Sequence, residues 1–329
     1  MHFAIRRLAR RLLRLAGWSL GSAAALLTAE QPAYLLGDRF RGPEGIVADR
    51  SGALYASDQG DTGIIRQYVK GEWRVFFEFG SRLGATRRER PLLGLGIDRA
   101  GNLYACAPKY RGGAVIRIPM GHSDQASVFA TQLGFPNGLI ADGRFLYVTD
   151  TQVFSHGHIY KLPLDRYSSR APLPSETFPS PFPLANGIAL SPNGQTLYVV
   201  HSRLWQVSHL SAIAVSTMDP SAEASLPGLC DGIGLFQGRL WVCQQRPGGI
   251  FLLDPHELEH HSTLLLAPGI DGPIHPASIA SYHGCRGRSL AAVTDVADAN
   301  PLMYLLRDTF GWPLPWHRGV YAFPLSKRL

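Results

Sequence analysis

Four side chains that carry oxygen recur at one place in a repeated phrase: Glu44 in GPEG, Asn137 in FPNG, Asn186 in LANG and Asp231 in LCDG. Each stands before a glycine and an apolar, strand-like run. An isolated Asn-Gly or Asp-Gly is ordinarily a tight turn. Here a separate glycine-bearing turn follows each run, as SPNG follows ANGIAL, so the turn is already supplied. The four side chains are left for another task. Two carboxylates and two amide carbonyls, with no thiolate or imidazole among them, make the donor set of a hard cation. Calcium takes about six to eight oxygens in flexible geometry, so four protein donors leave positions for water or substrate. Magnesium fits less well because it demands a near-ideal octahedron, and zinc because it prefers His and Cys. The expectation is a Ca2+ site with room for chemistry.

The elements that must position these residues are legible as a repeat. GPEGIVADRSGALYASD, LLGLGIDRAGNLYACA, FPNGLIADGRFLYVTD, LANGIALSPNGQTLYVV, LCDGIGLFQGRLWVCQ and the weaker PASIASYHGCRGRSLAAVTD share one template. It reads as an alternating apolar strand, a turn, and a second strand, usually with Leu-Tyr or Leu-Trp: a β-hairpin signature. Aligned on the residue before the shared glycine (Glu44, Leu93, Asn137, Asn186, Asp231, Ala277), the intervals are 49, 44, 49, 45 and 46 residues. A period in the mid-forties is the spacing of four-stranded propeller blades. Residues 34–329 are therefore expected to form an all-β, six-bladed β-propeller with four antiparallel strands per blade. Equivalent positions share one height around the axis, which gathers Glu44, Asn137, Asn186 and Asp231 at the channel. AYLLGDRF and GVYAFPL are expected to pair and close the ring. The apolar stretch ANPLMYLLRDTFGWPLPWHRG is read as an insertion in the last blade, packed over the channel mouth.

Charge excludes one class of partner. Five of the seven net positive charges are arginines in the first 29 residues (Arg6, Arg7, Arg10, Arg11, Arg14), so the remainder is nearly neutral and carries no nucleic-acid footprint. Residues 1–30 join this basic start to an apolar run too short to cross a bilayer. They read as a targeting or membrane-associating segment preceding the propeller, which favours an exported, periplasmic or membrane-associated protein over a cytoplasmic one. Cys106, Cys230, Cys243 and Cys285 have no metal or redox spacing and are expected to be buried free thiols.

On GPEG, FPNG, LANG and LCDG at blade spacing, residues 34–329 resemble the calcium-dependent six-bladed propellers of the regucalcin and gluconolactonase family. Diisopropylfluorophosphatase, paraoxonase and the strictosidine synthase-like proteins are relatives of that family. The resemblance implies that Glu44, Asn186 and Asp231 bind a catalytic calcium and that Asn137 faces metal or substrate. It also implies a hydrolase of small-molecule esters or lactones. Regucalcin-type enzymes place an arginine two residues before the first asparagine to hold a sugar lactone, and Phe135 stands here instead. RPLLGLGID and LPGLCDG look more like the strictosidine synthase-like branch, while the retained Glu44 favours the hydrolases. The competing readings are a strictosidine synthase-like protein and a non-catalytic propeller that binds a small molecule or partner around a structural calcium.

In the hydrolase reading, Asp231 attacks the substrate or activates water and Asn137 steers the substrate oxygen. His201 and His275 are candidate auxiliary acid-base groups near the predicted mouth. Asp58, Asp150 and Asp295 share the strand-end register of His201 and are expected to cap loops. HELEH (His256 to His260) matches a zinc-protease pattern, but follows Pro255 between strand-like runs, where a hairpin tip is expected in place of the helix that pattern needs.

Overall fold

The computed structural model describes residues 27–31, 33–40, 42–58, 63–152, 157–165, 176–179, 184–203, 207–246, 248–266, 274–283, 289–295 and 318–325. The chain forms a six-bladed β-propeller. The inner strands of blades one to six are Pro43–Ala48, Leu95–Ile97, Pro136–Ala141, Ile188–Leu190, Leu229–Phe236 and Pro276–His283. Each pairs antiparallel with the strand that follows it in sequence, and in blades one to five two further antiparallel strands complete the blade.

Ring closure follows the sequence expectation. Tyr34–Phe40 pairs antiparallel with Arg318–Pro324, with Leu35 opposite Tyr321, so the N-terminal strand becomes the outermost strand of blade six. A further strand, Leu27–Gln31, lies within the stretch read as leader up to residue 30. It adds to blade five as a fifth, parallel strand, with Ala29 opposite Leu264. Residues 1–26, Cys285 and most of the apolar insertion of the last blade lie outside the described residues.

The hairpin template has a physical basis at its turn. In blades one to three an aspartate opens the turn: Asp49, Asp98 and Asp142. Its carboxylate accepts backbone N–H groups across the turn, such as Ser51 and Ala53 on Asp49 and Arg144 and Phe145 on Asp142. The tyrosine of the second strand then donates its hydroxyl to the same carboxylate: Tyr55 to Asp49, Tyr104 to Asp98 at 3.0 Å and Tyr147 to Asp142 at 3.0 Å. Gly52, Gly101 and Gly143 take positive φ in these turns, which a side chain would oppose. Burial and the adjacent carboxylate push the Tyr55 phenol up to about 12.

A four-stranded sheet has two apolar faces and covers neither alone. Among the described residues the buried apolar side chains form six clusters, one at each blade interface. Ile65 and Phe77 of blade one meet Leu103 and Ile116 of blade two, and Trp241 and Ile250 of blade five meet Ala291 and Tyr321 of blade six. Burying one such large side chain contributes about 1.5–3 kcal/mol. The clusters hold the blades in register, and register sets the hub.

Candidate metal centre

The shared glycine matters at the hub because the blades touch there backbone to backbone. A Cβ on Gly94 would overlap the Asn137 carbonyl oxygen, and one on Gly232 that of Ala277. On Gly138 it would lie 2.5 Å from the Asn186 carbonyl oxygen, and on Gly187 2.5 Å from that of Asp231. Gly45 meets the Leu93 carbonyl at 2.5 Å in the same way. The residue before each glycine therefore presents its backbone oxygen to the preceding blade. Gly94 N–H donates to Asn137 O at 2.9 Å and Gly187 N–H to Asp231 O at 3.1 Å.

In blades one, three and six a hydroxyl from the second strand is inserted into this contact. Thr149 Oγ1 accepts Gly138 N–H at 2.9 Å and donates to Asn186 O at 2.6 Å. Thr294 Oγ1 accepts Ser278 N–H at 3.0 Å and donates to Glu44 O at 2.7 Å, which closes the ring from blade six to blade one. Ser57 plays the same part between Gly45 and Leu93. The inner strands of these three blades shift register at this point, after Pro43, Pro136 and Pro276. Sequence reasoning missed the hydroxyls; their signal is the Ser-Asp or Thr-Asp ending of the second strand in YASD, YVTD and AVTD.

Glu44, Asn137, Asn186 and Asp231 thus hold equivalent positions at the start of the inner strands of blades one, three, four and five. Asp231 is buried, and its carboxylate takes a hydrogen bond from the Asn186 side chain and another from Gln245 Nε2 at 3.3 Å. Burial pushes the Asp231 carboxyl up to about 7, a rise that the Asn186 hydrogen bond partly offsets. Cys243 carries the electrostatic imprint of both Asp231 and Glu44, which brings the carboxylates of blades five and one into one neighbourhood. Asn137 is buried and donates its amide nitrogen to Thr151 Oγ1 at 3.1 Å, engaging the half of the amide that a cation repels. Thr151 in turn donates to Ala185 O.

The donors fit a hard cation. Among the described residues no group of three or more His, Cys, Asp and Glu converges as a metal cage, so the Asn137 and Asn186 oxygens would have to complete any site that Glu44 and Asp231 begin. Cys106, Cys230 and Cys243 are buried free thiols, as expected, and burial drives all three pKa values up.

The histidines separate. His275 donates from Nδ1 to the Gln245 carbonyl at 2.8 Å, and Gln245 is the residue whose side chain reaches Asp231, so His275 stands one residue behind the centre. His201 is fully buried, and burial followed by the neighbouring His209 lowers its pKa to about 3. A ring buried to that degree favours a packing role over the acid-base role expected of His201. Asp150 shares the strand-end register of His201 and does cap a loop, accepting Phe135 N–H at 2.7 Å, the Gln152 amide and the Tyr160 hydroxyl. The HELEH segment is a turn at its start: Asp254 Oδ1 accepts the N–H groups of His256 and Glu257, and the fourth strand of blade five begins at His260.

The class of molecule these features define is a six-bladed β-propeller with a polar hub at the face where its inner strands begin. Solved structures share that architecture. Luciferin-regenerating enzyme is 15% identical over 90% of this chain and 95% of its own, with a TM-score of 0.64. A protein described as a gluconolactonase is 15% identical over 91% and 93%, with a TM-score of 0.60. The PQQ-bound aldose sugar dehydrogenase of Streptomyces coelicolor is 14% identical over 89% and 98%, with a TM-score of 0.62. No protein-family model matches the chain, and no curated protein sequence matches it. The neighbours differ in chemistry, so the likeness is one of fold.

Proposed function

We propose that the protein is a calcium-dependent hydrolase of small-molecule esters or lactones, with the ion held at the hub by Glu44, Asn137, Asn186 and Asp231. The observation that carries this reading is the buried Asp231 carboxylate, bonded to the Asn186 amide and sharing the surroundings of Cys243 with Glu44. A buried carboxylate beside a second, half-buried one is balanced by a proton or a cation. Four hard oxygen donors select a cation of the calcium kind. A gluconolactonase-like neighbour of the same fold is consistent with the reaction class.

Calcium bound there would supply Lewis-acid polarisation of the substrate carbonyl, an effect worth several kcal/mol to a developing oxyanion. The chain supplies the rest. Asp231, aimed by Asn186 and Gln245, either attacks the carbonyl carbon and expels the alkoxide, leaving an acyl anhydride that water then cleaves, or takes the proton of an attacking water and passes it to the departing alkoxide as the ester C–O bond breaks. Asn137, steadied by Thr151, orients the substrate oxygen. His275 holds the Gln245 backbone in place. The test is a panel of aryl esters and lactones assayed with calcium, with chelator, and with Glu44→Gln. Turnover that falls at least about a hundredfold in both of the last two arms is expected; hydrolysis indifferent to both refutes the proposal.

A further inference from the structure

The charge that the whole-chain balance hides is concentrated on one face. The connection from the outer strand of blade one to the inner strand of blade two runs over the face where the inner strands begin, and carries Arg82, Arg87, Arg88 and Arg90. The connection between the second and third strands of blade two, on the same face, carries Lys109 and Arg111. The two are one surface. Tyr110 donates its hydroxyl to Leu83 O at 3.0 Å, the Phe79 and Tyr110 rings meet at 4.9 Å, and Arg111 acts electrostatically on Glu89. Among the described residues of this surface six cations stand with two carboxylates, Glu78 and Glu89. Arg82, Arg87, Arg88, Lys109 and Arg111 are exposed. At the hairpin turns of the opposite face, by contrast, Asp49, Asp98 and Asp142 alternate with Arg50, Arg99 and Arg144.

An exposed aromatic continues this ridge. Leu133 N–H donates to Gly113 O and Gly134 N–H to Gly112 O, both at 3.1 Å, which binds the loop ending in Phe135 to the loop bearing Arg111. Phe135 is fixed at both backbone groups: its N–H donates to Asp150 and its carbonyl accepts Thr151 N–H at 2.9 Å. The residue is nevertheless 36% exposed. Among the described residues the exposed large apolar side chains are Phe135, Val207 and Val75. The first two lie on this same face. A rigidly held aromatic beside clustered arginine is suited to an interface with anionic headgroups and apolar tails.

We propose that this face docks on an anionic lipid surface through Arg82, Arg87, Arg88, Lys109, Arg111 and Phe135, turning the hub toward the membrane. The proposal stands whether or not the hub hydrolyses esters. The test uses the full chain and vesicles of phosphatidylcholine, alone or with about one-third phosphatidylglycerol, at low salt. Each basic residue near such a surface contributes about a fivefold gain in partition, so Arg82→Gln/Arg87→Gln/Arg88→Gln is expected to bind the anionic vesicles about a hundredfold more weakly at unchanged Tm. Phe135→Ser is expected to weaken binding several-fold. Because the leader is also basic, the comparison is repeated with Arg6, Arg7, Arg10, Arg11 and Arg14 changed to Gln, and the loss from the triple change should persist. Partition unaffected by the triple change, or dependent on the leader alone, overturns the proposal. So does binding to heparin that exceeds binding to vesicles, which would assign the ridge to a soluble polyanion.

Discussion

Asp231→Asn should stabilise the metal-free protein, an unusual direction for a change at a buried polar position. The wild-type carboxyl is raised from 3.8 to about 7 by burial, so the folded state retains a proton that the unfolded chain releases. Stability attributable to this group is therefore full below pH 3.8 and declines as pH rises to about 7. Above that it is lost by on the order of 4 kcal/mol, from a shift of roughly three pH units. Between about pH 6 and pH 8 the decline is on the order of 1 kcal/mol, or a few degrees of Tm in a chain of this size. The substituted asparagine keeps an oxygen for the Asn186 amide and carries no charge. Thermal melts of chelated wild type and Asp231→Asn at about pH 6, 7 and 8 measure the effect as a difference, which cancels the titrating groups that do not interact with residue 231. The gap in favour of the variant should widen with pH, and calcium should close or reverse it by stabilising only the wild type. A gap that is constant across pH, or that favours the wild type without calcium, refutes the assignment of Asp231 to a desolvated hub.

Other consequences follow from the same geometry. Gly94→Ala places a methyl group against the Asn137 carbonyl and should cost about 2–4 kcal/mol in urea unfolding, since backbone must move on both sides. Thr149→Val removes the hydroxyl between Gly138 and Asn186 and should cost about 1–3 kcal/mol while weakening calcium binding through displaced Asn186. His201, with its pKa lowered from 6.5 to about 3, contributes stability that is present above pH 6.5 and lost as pH falls toward 3. Unfolding free energies from urea titrations at about pH 7 and pH 5 should therefore differ by roughly 2 kcal/mol more in wild type than in His201→Gln. Cys106, Cys230 and Cys243 should react with an aromatic disulfide reagent only after unfolding, because burial keeps each protonated.

The blade count is legible in the sequence because it rests on a local pattern repeated at a fixed period. A strand, its turn and its partner are adjacent in the chain, so phrases of the VADRSGALY kind declare themselves. The bridging hydroxyls of Ser57, Thr149 and Thr294 are not legible in this way, because each acts across a blade boundary, on a carbonyl in a different repeat. The strand Leu27–Gln31 is hidden for a similar reason: it follows the apolar leader without a turn signal and pairs with Ser262–Leu266, far along the chain. The burial of His201 is hidden in the same way: its place at a strand end is legible, while its burial is set by neighbours from other strands. The arginine ridge is invisible for the opposite reason, since summing charge over the body erases a cluster contributed by two separate loops.

The most direct test of the central claim is a calcium titration of chelator-treated protein by calorimetry, followed on the same samples by ester and lactone hydrolysis. The account predicts one ion per chain, hydrolysis restored in proportion to occupancy, and both lost together in Glu44→Gln and Asp231→Asn. Saturable hydrolysis in protein that binds no calcium would contradict it, as would calcium binding that survives both substitutions.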